Sequence, residues 1–312
     1  KIPKGLLFSN LLILGAFLMP VFYMIWRFFT FSRSFQSFFD SWNVYGLLFN
    51  TVSMFFAVVF SSVLVGLLIA IFLIRFKISG SKILFTLCTL PLVIPSYIGA
   101  LTYVSAFSPK GLFVQIFSFT GLEEINGIEG FIGSWIVLTL FTYPYVLLIC
   151  SSALRNLDST VEEAARSLGV NRLRIYTSVV IPRLKKPIVY SALLVGLYVI
   201  SDFGAVSLMR YSTITKAIYT YYEFSLMGDP IIFYSGLLIF LALIISFIQR
   251  SSDVSRAATV SGIPRVPAKV ELTFQNKIFV YLFLGTVIFL GLILPVSVLS
   301  YWLIRGLSLG ND

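Results

Sequence analysis

The chain contains no histidine. The commonest metal ligand and the commonest general base near neutral pH are therefore missing. Cysteine is scarce as well. Cys88 and Cys150 both fall inside long apolar runs, so no disulfide follows from the sequence and both read as buried, inert thiols. Only 12% of the 312 residues are charged. That is too little polar surface for a soluble body of this length. No plausible acid–base pair stands out, which argues against an enzyme.

What the chain has instead is apolar length. It is 58% hydrophobic. Apolar runs over 6–29, 47–73, 83–107, 131–154, 187–209, 231–248 and 278–303 approach or exceed the roughly 20 residues that carry a helix across a bilayer. The runs do not alternate apolar with polar residues, so a β-barrel is not expected. The predicted fold is an all-α polytopic membrane protein of about seven transmembrane helices.

The net charge is +10, and its placement points to a membrane rather than to nucleic acid. Loops on one side carry Lys1, Lys4, Arg75, Lys77, Lys82 and the basic clusters of 155–186 and 250–277. The opposite loops carry Arg33, Lys110, Arg210, Lys216 and Arg305, with Arg27 near that end of the first run. The positive-inside rule then places the N-terminus in the cytoplasm. The basic loops are expected to meet anionic lipid headgroups. The first run is too long, and lacks a small-residue cleavage site, for a signal peptide.

Ser62, Gly66 and Ala70, and later Ala192 and Gly196, recur at every fourth position. This spacing lets helix backbones approach closely in lipid. The third run contains "LPLVIPSYIGALTY". Pro91 and Pro95 each remove a backbone donor, so a bend or break is expected there. Ser96, Tyr97, Thr102 and Tyr103 follow at once. They line a pathway or belong to a merely structural kink. The fifth run contains "YVISDFGAV", where Asp202 is an acid inside an apolar run, next to Ser201. A charge at depth costs a few kcal/mol, so exposure to lipid is not expected. Asp202 either caps a local turn or lines an outward-facing cavity. The stretch over 211–230 is polar and aromatic, with a short helix expected.

Between 250 and 276 the hydropathy collapses, and Gly and Pro punctuate a linker read as cytoplasmic. The run after it contains "LILPVSVLSYW", which is like "AFLMPVFYMIW" in the first run around Pro295 and Pro20. That likeness is weak support for an internal repeat whose second copy begins near Lys277. The missing initiator Met also fits a fragment.

One long polar segment interrupts the apolar runs: "STVEEAARSLGVNRLRIYTSVVIPRLKKP", from 159 to 187. Ser159 with Glu162, or Thr160 with Glu163, has capping-box spacing. Gly169 is placed to take a left-handed helix cap. Asn171 can start a second helix, which is expected to end as Pro182 approaches. Val161, Leu168, Leu173, Tyr176 and Val180 can pack this elbow against the spans or against a partner.

The spacing Glu163-Ala164-Ala165, three residues, Gly169, nine residues, Val179-Val180-Ile181-Pro182 resembles the EAA loop of ABC importer permeases. The family pattern is EAA-x3-G-x9-I-x-L-P. Val179 and Ile181 stand where the pattern has Ile and Leu. The stretches "LPLVIPSYIGALTY" and "SDFGAVSLMRYSTITKAIYTYY" are similar to permeases of the iron(III) importer group. The resemblance implies the type I ABC importer permease fold, with the 159–182 loop supplying coupling helices. Glu163, Ala164, Ala165, Gly169, Ile181 and Pro182 would then contact a cytoplasmic ABC ATP-binding subunit, and Ser96, Tyr97, Ser201 and Asp202 would be candidates for lining the pathway. It implies no catalytic residue, no metal site and no cofactor bound by the chain, with ATP used by the partner subunit. Further partners are an external substrate-binding protein, a second permease half and the lipid bilayer of a bacterial inner membrane. Members of that group fuse two permease halves, each with its own loop, whereas this sequence holds one loop. Residues 1–249 are thus expected to form a first half, 250–276 a linker, and 277–312 the first helix of a truncated second half. Related permeases for sulfate, thiamine or polyamines share the architecture. An ATP-independent secondary transporter or channel is the alternative, for which Asp202 is the candidate ionisable residue.

Overall fold

The computed structural model describes residues 4–30, 43–108, 111, 128–157, 165, 167–224, 229–251 and 269–309. Helices α1 (Lys4–Phe29) and α2 (Val44–Arg75) correspond to the first two apolar runs. Helix α3 (Ser81–Thr89) passes into a 3₁₀ turn, Leu90–Val93, before α4 (Ser96–Ala106). The long α5 spans Gly130–Arg155. Helix α6 covers 172–183, with a π turn at Tyr176–Val180. Then come α7 (Lys185–Ser201), α8 (Gly204–Leu208), α9 (Ile214–Phe224) and α10 (Asp229–Ser251). Helix α11 (Phe274–Ile288) continues through a second π turn, Phe289–Ile293, into α12 (Leu294–Leu309).

Among the described residues, five helices are long and apolar enough to cross a membrane, and up to seven if each of two bent pairs is one span. The bends are 95° between the 81–93 and 96–106 segments and 60° between the 176–183 and 185–201 segments.

Helices α2 and α5 form the centre, and α7 packs on both. The small-residue stripe explains the contact. Ser62 and Ala70 are fully buried, and the Ser62 hydroxyl lies 2.8 Å from that of Thr142 on α5. A Cβ added at Gly66 would lie 2.7 Å from both the Tyr143 carbonyl oxygen and the Val146 Cβ. Gly196 admits the Phe55 ring in the same way, since a Cβ there would lie 2.3 Å from it. In lipid, where apolar burial drives little helix association, such close backbone approach is a main source of packing energy.

The break in the third run falls where proline was expected to force it. Helix α3 stops at Thr89, Pro91 lies in the 3₁₀ turn, Ile94 is extended, and Pro95 precedes α4. A broken helix at membrane depth must find partners for its freed carbonyls. The Tyr143 hydroxyl donates to the Cys88 carbonyl at 2.8 Å. The last span seats on this break: Gly291, in its π turn, lies against Pro91, and the Tyr103 hydroxyl donates to the Leu290 carbonyl at 2.7 Å.

Two expectations need correction. The second helix of the polar segment does not end before Pro182. It runs through the proline to Arg183 and breaks at Leu184 instead. The π turn accounts for this, because the Ile181 N–H bonds to Tyr176, five residues back. The wider turn relieves the clash between a proline ring and the carbonyl four residues earlier. The final span also begins before Lys277, at Phe274, and 269–273 is docked rather than loose. Val270 pairs with the chain leaving α2: its N–H donates to Arg75 O, and its carbonyl accepts from Lys77 N, both at 2.9 Å. Residues 252–268 of the proposed linker lie outside the described residues.

Candidate coupling elbow and helix-break site

The two broken spans meet side chain to side chain. Helix α7 ends at Asp202, whose N–H donates to the Tyr198 carbonyl at 2.9 Å. Its carboxylate then serves both sides of the break. Oδ1 accepts from the Ala205 N–H at 3.0 Å, capping α8 in the i to i+3 pattern of an N-cap. Oδ2 accepts from the Ser96 hydroxyl at 2.5 Å, joining the start of α4 to the end of α7. The Asp202 carbonyl accepts from the Thr215 hydroxyl at 2.8 Å, which brings in α9. Asp202 is 9% exposed and Ser96 7%. An acid at this depth is tolerated because hydrogen-bond donors meet both of its oxygens.

The capping role considered for Asp202 is therefore present, and it coexists with a position where the break between α7 and α8 meets the start of α4. Tyr97 is 47% exposed, and its Cβ would lie 2.8 Å from a Cβ at Gly204, so the absent side chain at 204 lets α4 lie on the break. Ser201 is exposed and returns its hydroxyl to the Tyr198 carbonyl at 2.9 Å. Ser96 and Asp202 thus form the buried pair, with Tyr97 and Ser201 on its exposed rim. Thr215 and Tyr219, the latter with its ring 4.6 Å from that of Phe203 and tilted by 38° to it, were not singled out from sequence. The only hint of them was the polar, aromatic composition of 211–230.

The elbow is built around Gly169. Its φ of +74° is the left-handed conformation that glycine adopts without a Cβ penalty. The Val170 N–H donates to the Ala165 carbonyl at 3.1 Å, the six-to-one bond of a Schellman cap. Asn171 then accepts the first bond of α6, from Ile175 N at 3.0 Å. Helix α6 faces two ways. Ile175, Val180 and the following Leu184 are buried, and the Tyr176 ring packs 5.9 Å from Phe76 at the end of α2. Leu168 is 82% exposed, and Ile181 and Pro182 lie on the open face. Of the apolar residues expected to pack the elbow, Tyr176 and Val180 turn inward and Leu168 turns out. Glu163, Ala164, Val161 and the expected capping box lie outside the described residues.

The chain matches the model of a family described as the binding-protein-dependent transport system inner membrane component, over residues 62–258. The chain belongs to that family. The matched region contains the elbow, both bends, all of α5 and the second half of α2 from Ser62 onward. The chain is similar to the Fe(3+)-transport system permease protein FbpB 2 of Haemophilus influenzae, 29% identical over 265 residues, covering 84% of this chain and 49% of that protein. It is also similar to the sulfate transport system permease protein CysT of Salmonella typhimurium, 31% identical over 152 residues, covering 49% of this chain and 53% of that one. The chain thus spans about half the length of the curated relatives it matches.

Solved structures show the same fold. A chain of a bacterial alginate ABC transporter, crystallised with its pentasaccharide-bound periplasmic protein, superposes with a TM-score of 0.62 at 17% identity, covering 83% of this chain and 97% of that one. A chain of the inward-facing MetNI methionine ABC transporter gives 0.51 at 18% identity, covering 68% and 97%. The fold is that of type I ABC importer permeases.

Proposed function

We propose that the chain forms a translocation subunit of an ATP-driven importer, and that the 159–182 loop receives force from a cytoplasmic ATP-binding subunit. The observation that carries this reading is the elbow: a glycine-capped turn with Leu168 exposed outside and Tyr176 seated on Phe76 inside. In this reading Glu163, Ala164, Ala165, Gly169, Ile181 and Pro182 form the docking face. A push there moves Tyr176 against the end of α2, and through the Phe76–Val270 pairing it also reaches the start of α11. Alternating access requires only two packings close in energy, biased by partners at either face. Ser96, Tyr97, Ser201 and Asp202, where the α7–α8 break meets the start of α4, are the proposed pathway residues. The N-terminus lies in the cytoplasm of a bacterial inner-membrane protein. Residues 1–249 form one permease half; the linker of 250–276 ends in the docked stretch 269–273 and the first residues of α11, and the helix from Phe274 onward is the first of a second half. A substrate-binding protein docks outside, and ATP is consumed by the partner subunit.

Iron(III) is the proposed cargo. The likeness to the iron permease extends over 84% of this chain, against 49% for the sulfate permease. The test is uptake by the complete importer in proteoliposomes, with each binding protein loaded in turn. ATP-dependent entry of radiolabelled iron(III), unaffected by excess sulfate, is expected. Sulfate entry without iron entry overturns the cargo, and entry of either without ATP overturns the mechanism.

A further inference from the structure

A cavity of about 550 Å³ opens where the end of α2 meets the start of α11. Lys77, Ser79, Lys269, Glu271, Lys277 and Tyr281 line it. Its walls are held together by the Phe76–Val270 pairing on one side and by the Tyr281 hydroxyl, which donates to the Ser79 carbonyl at 3.2 Å, on the other. It is therefore a formed recess between two elements far apart in sequence.

Its charge is unbalanced. Lys77 Nζ lies 3.0 Å from Glu271 Oε1. That hydrogen bond and charge, with Lys277 adding a second cation, hold the Glu271 carboxyl below its usual range. One carboxylate stands among the lysines 77, 269 and 277, which leaves a cationic excess. Lysine is a strongly hydrated point charge and a good partner for phosphate.

Its position narrows the ligand. The apolar part of α2 ends at Arg75 and that of α11 begins at Phe274, so the recess sits where spans leave the hydrocarbon. Beside it, Phe274, Ile278 and Leu282 form an exposed apolar ridge, one helical turn apart. A ligand suited to both surfaces carries an anionic head and an apolar tail. A free phosphate would leave the ridge unused. We propose that this recess is a binding site for the phosphate headgroup of an anionic phospholipid, whose acyl chain lies along the Phe274–Ile278–Leu282 ridge. Basic pockets between spans on the cytoplasmic side are suited to such headgroups. A bound lipid bridges the loop after α2 to the start of α11, beside the Phe76 against which the elbow rests.

Native mass spectrometry of the full chain with its partners, in detergent, tests this. Phosphatidylglycerol, phosphatidylethanolamine and inorganic phosphate are added in separate arms. Phosphatidylglycerol should be retained about tenfold better than phosphatidylethanolamine, and inorganic phosphate should not displace it. The Lys269→Gln/Lys277→Gln variant should lose about tenfold in phosphatidylglycerol retention, and Lys269→Arg/Lys277→Arg should keep it. Lys185→Gln/Lys186→Gln, on exposed positions outside the recess, should behave as wild type. Equal retention of both lipids, retention unchanged in the glutamine variant, or full displacement by millimolar phosphate overturns the proposal. The last outcome would identify a site for soluble phosphate.

Discussion

Gly169→Val should reduce recovery of the ATP-binding subunit with the membrane chain by roughly 5–30-fold, while membrane insertion stays normal. The argument rests on conformation rather than space. Nothing lies within 4 Å of a Cβ built at Gly169, but its φ is +74°. A side chain in that conformation costs about 1–2 kcal/mol, and a β-branched one sits at the upper end. The strain falls on the turn that presents Leu168, because the Schellman bond from Val170 to Ala165 requires the left-handed residue. A docking-competent elbow that is populated less binds its partner more weakly by the same factor. Asn tolerates the left-handed region, so Gly169→Asn should lose far less than Gly169→Val. A steric contact at 169 instead predicts similar losses for the two variants, because valine and asparagine are close in size. Quantitative co-purification of the three proteins distinguishes the two.

Asp202→Leu should destabilise the chain by about 2–6 kcal/mol, seen as early thermal unfolding in detergent. The leucine leaves both the Ala205 N–H and the Ser96 hydroxyl without their acceptor. An unsatisfied buried group costs about 1–3 kcal/mol. Asp202→Asn should assemble normally. Its Oδ1 can still cap α8, and its amide can donate to the Ser96 oxygen. The amide variant therefore separates architecture from transport. Reduced uptake by an assembled Asp202→Asn importer assigns the carboxylate to the pathway. Wild-type uptake removes it from the pathway and leaves it the cap and the tie to Ser96.

Much of the fold was legible because membrane spans announce themselves by length. The run over 47–73 became α2, and the run over 131–154 became α5, each with only a few residues added at the ends. Proline also read correctly at 91 and 95, where each removes a backbone donor and the helix gives way to a 3₁₀ turn and an extended residue before Ser96. At Pro182 the same rule failed. A π turn ending two residues earlier, at Val180, widened the backbone, and no local signal distinguishes that from a stop. Gly169 was legible as a left-handed cap because glycine after a helical stretch has few other uses. The partners of Asp202 were not. Ser96 lies 106 residues away, and its pairing depends on how two breaks come to the same depth. The Phe76–Val270 pairing was hidden for the same reason, since neither residue carries a polar side chain to mark it.

Site-directed cross-linking from position 168 tests the coupling role most directly. Cys88 and Cys150 are fully buried, so a thiol introduced by Leu168→Cys is the reactive one among the described residues. In the assembled importer, a short bifunctional reagent at that thiol should capture the ATP-binding subunit, with a yield that changes when ATP is bound. No capture from an intact, transport-active complex, while thiols introduced elsewhere in the chain do capture that subunit, would contradict the assignment of this elbow as the part that receives the force.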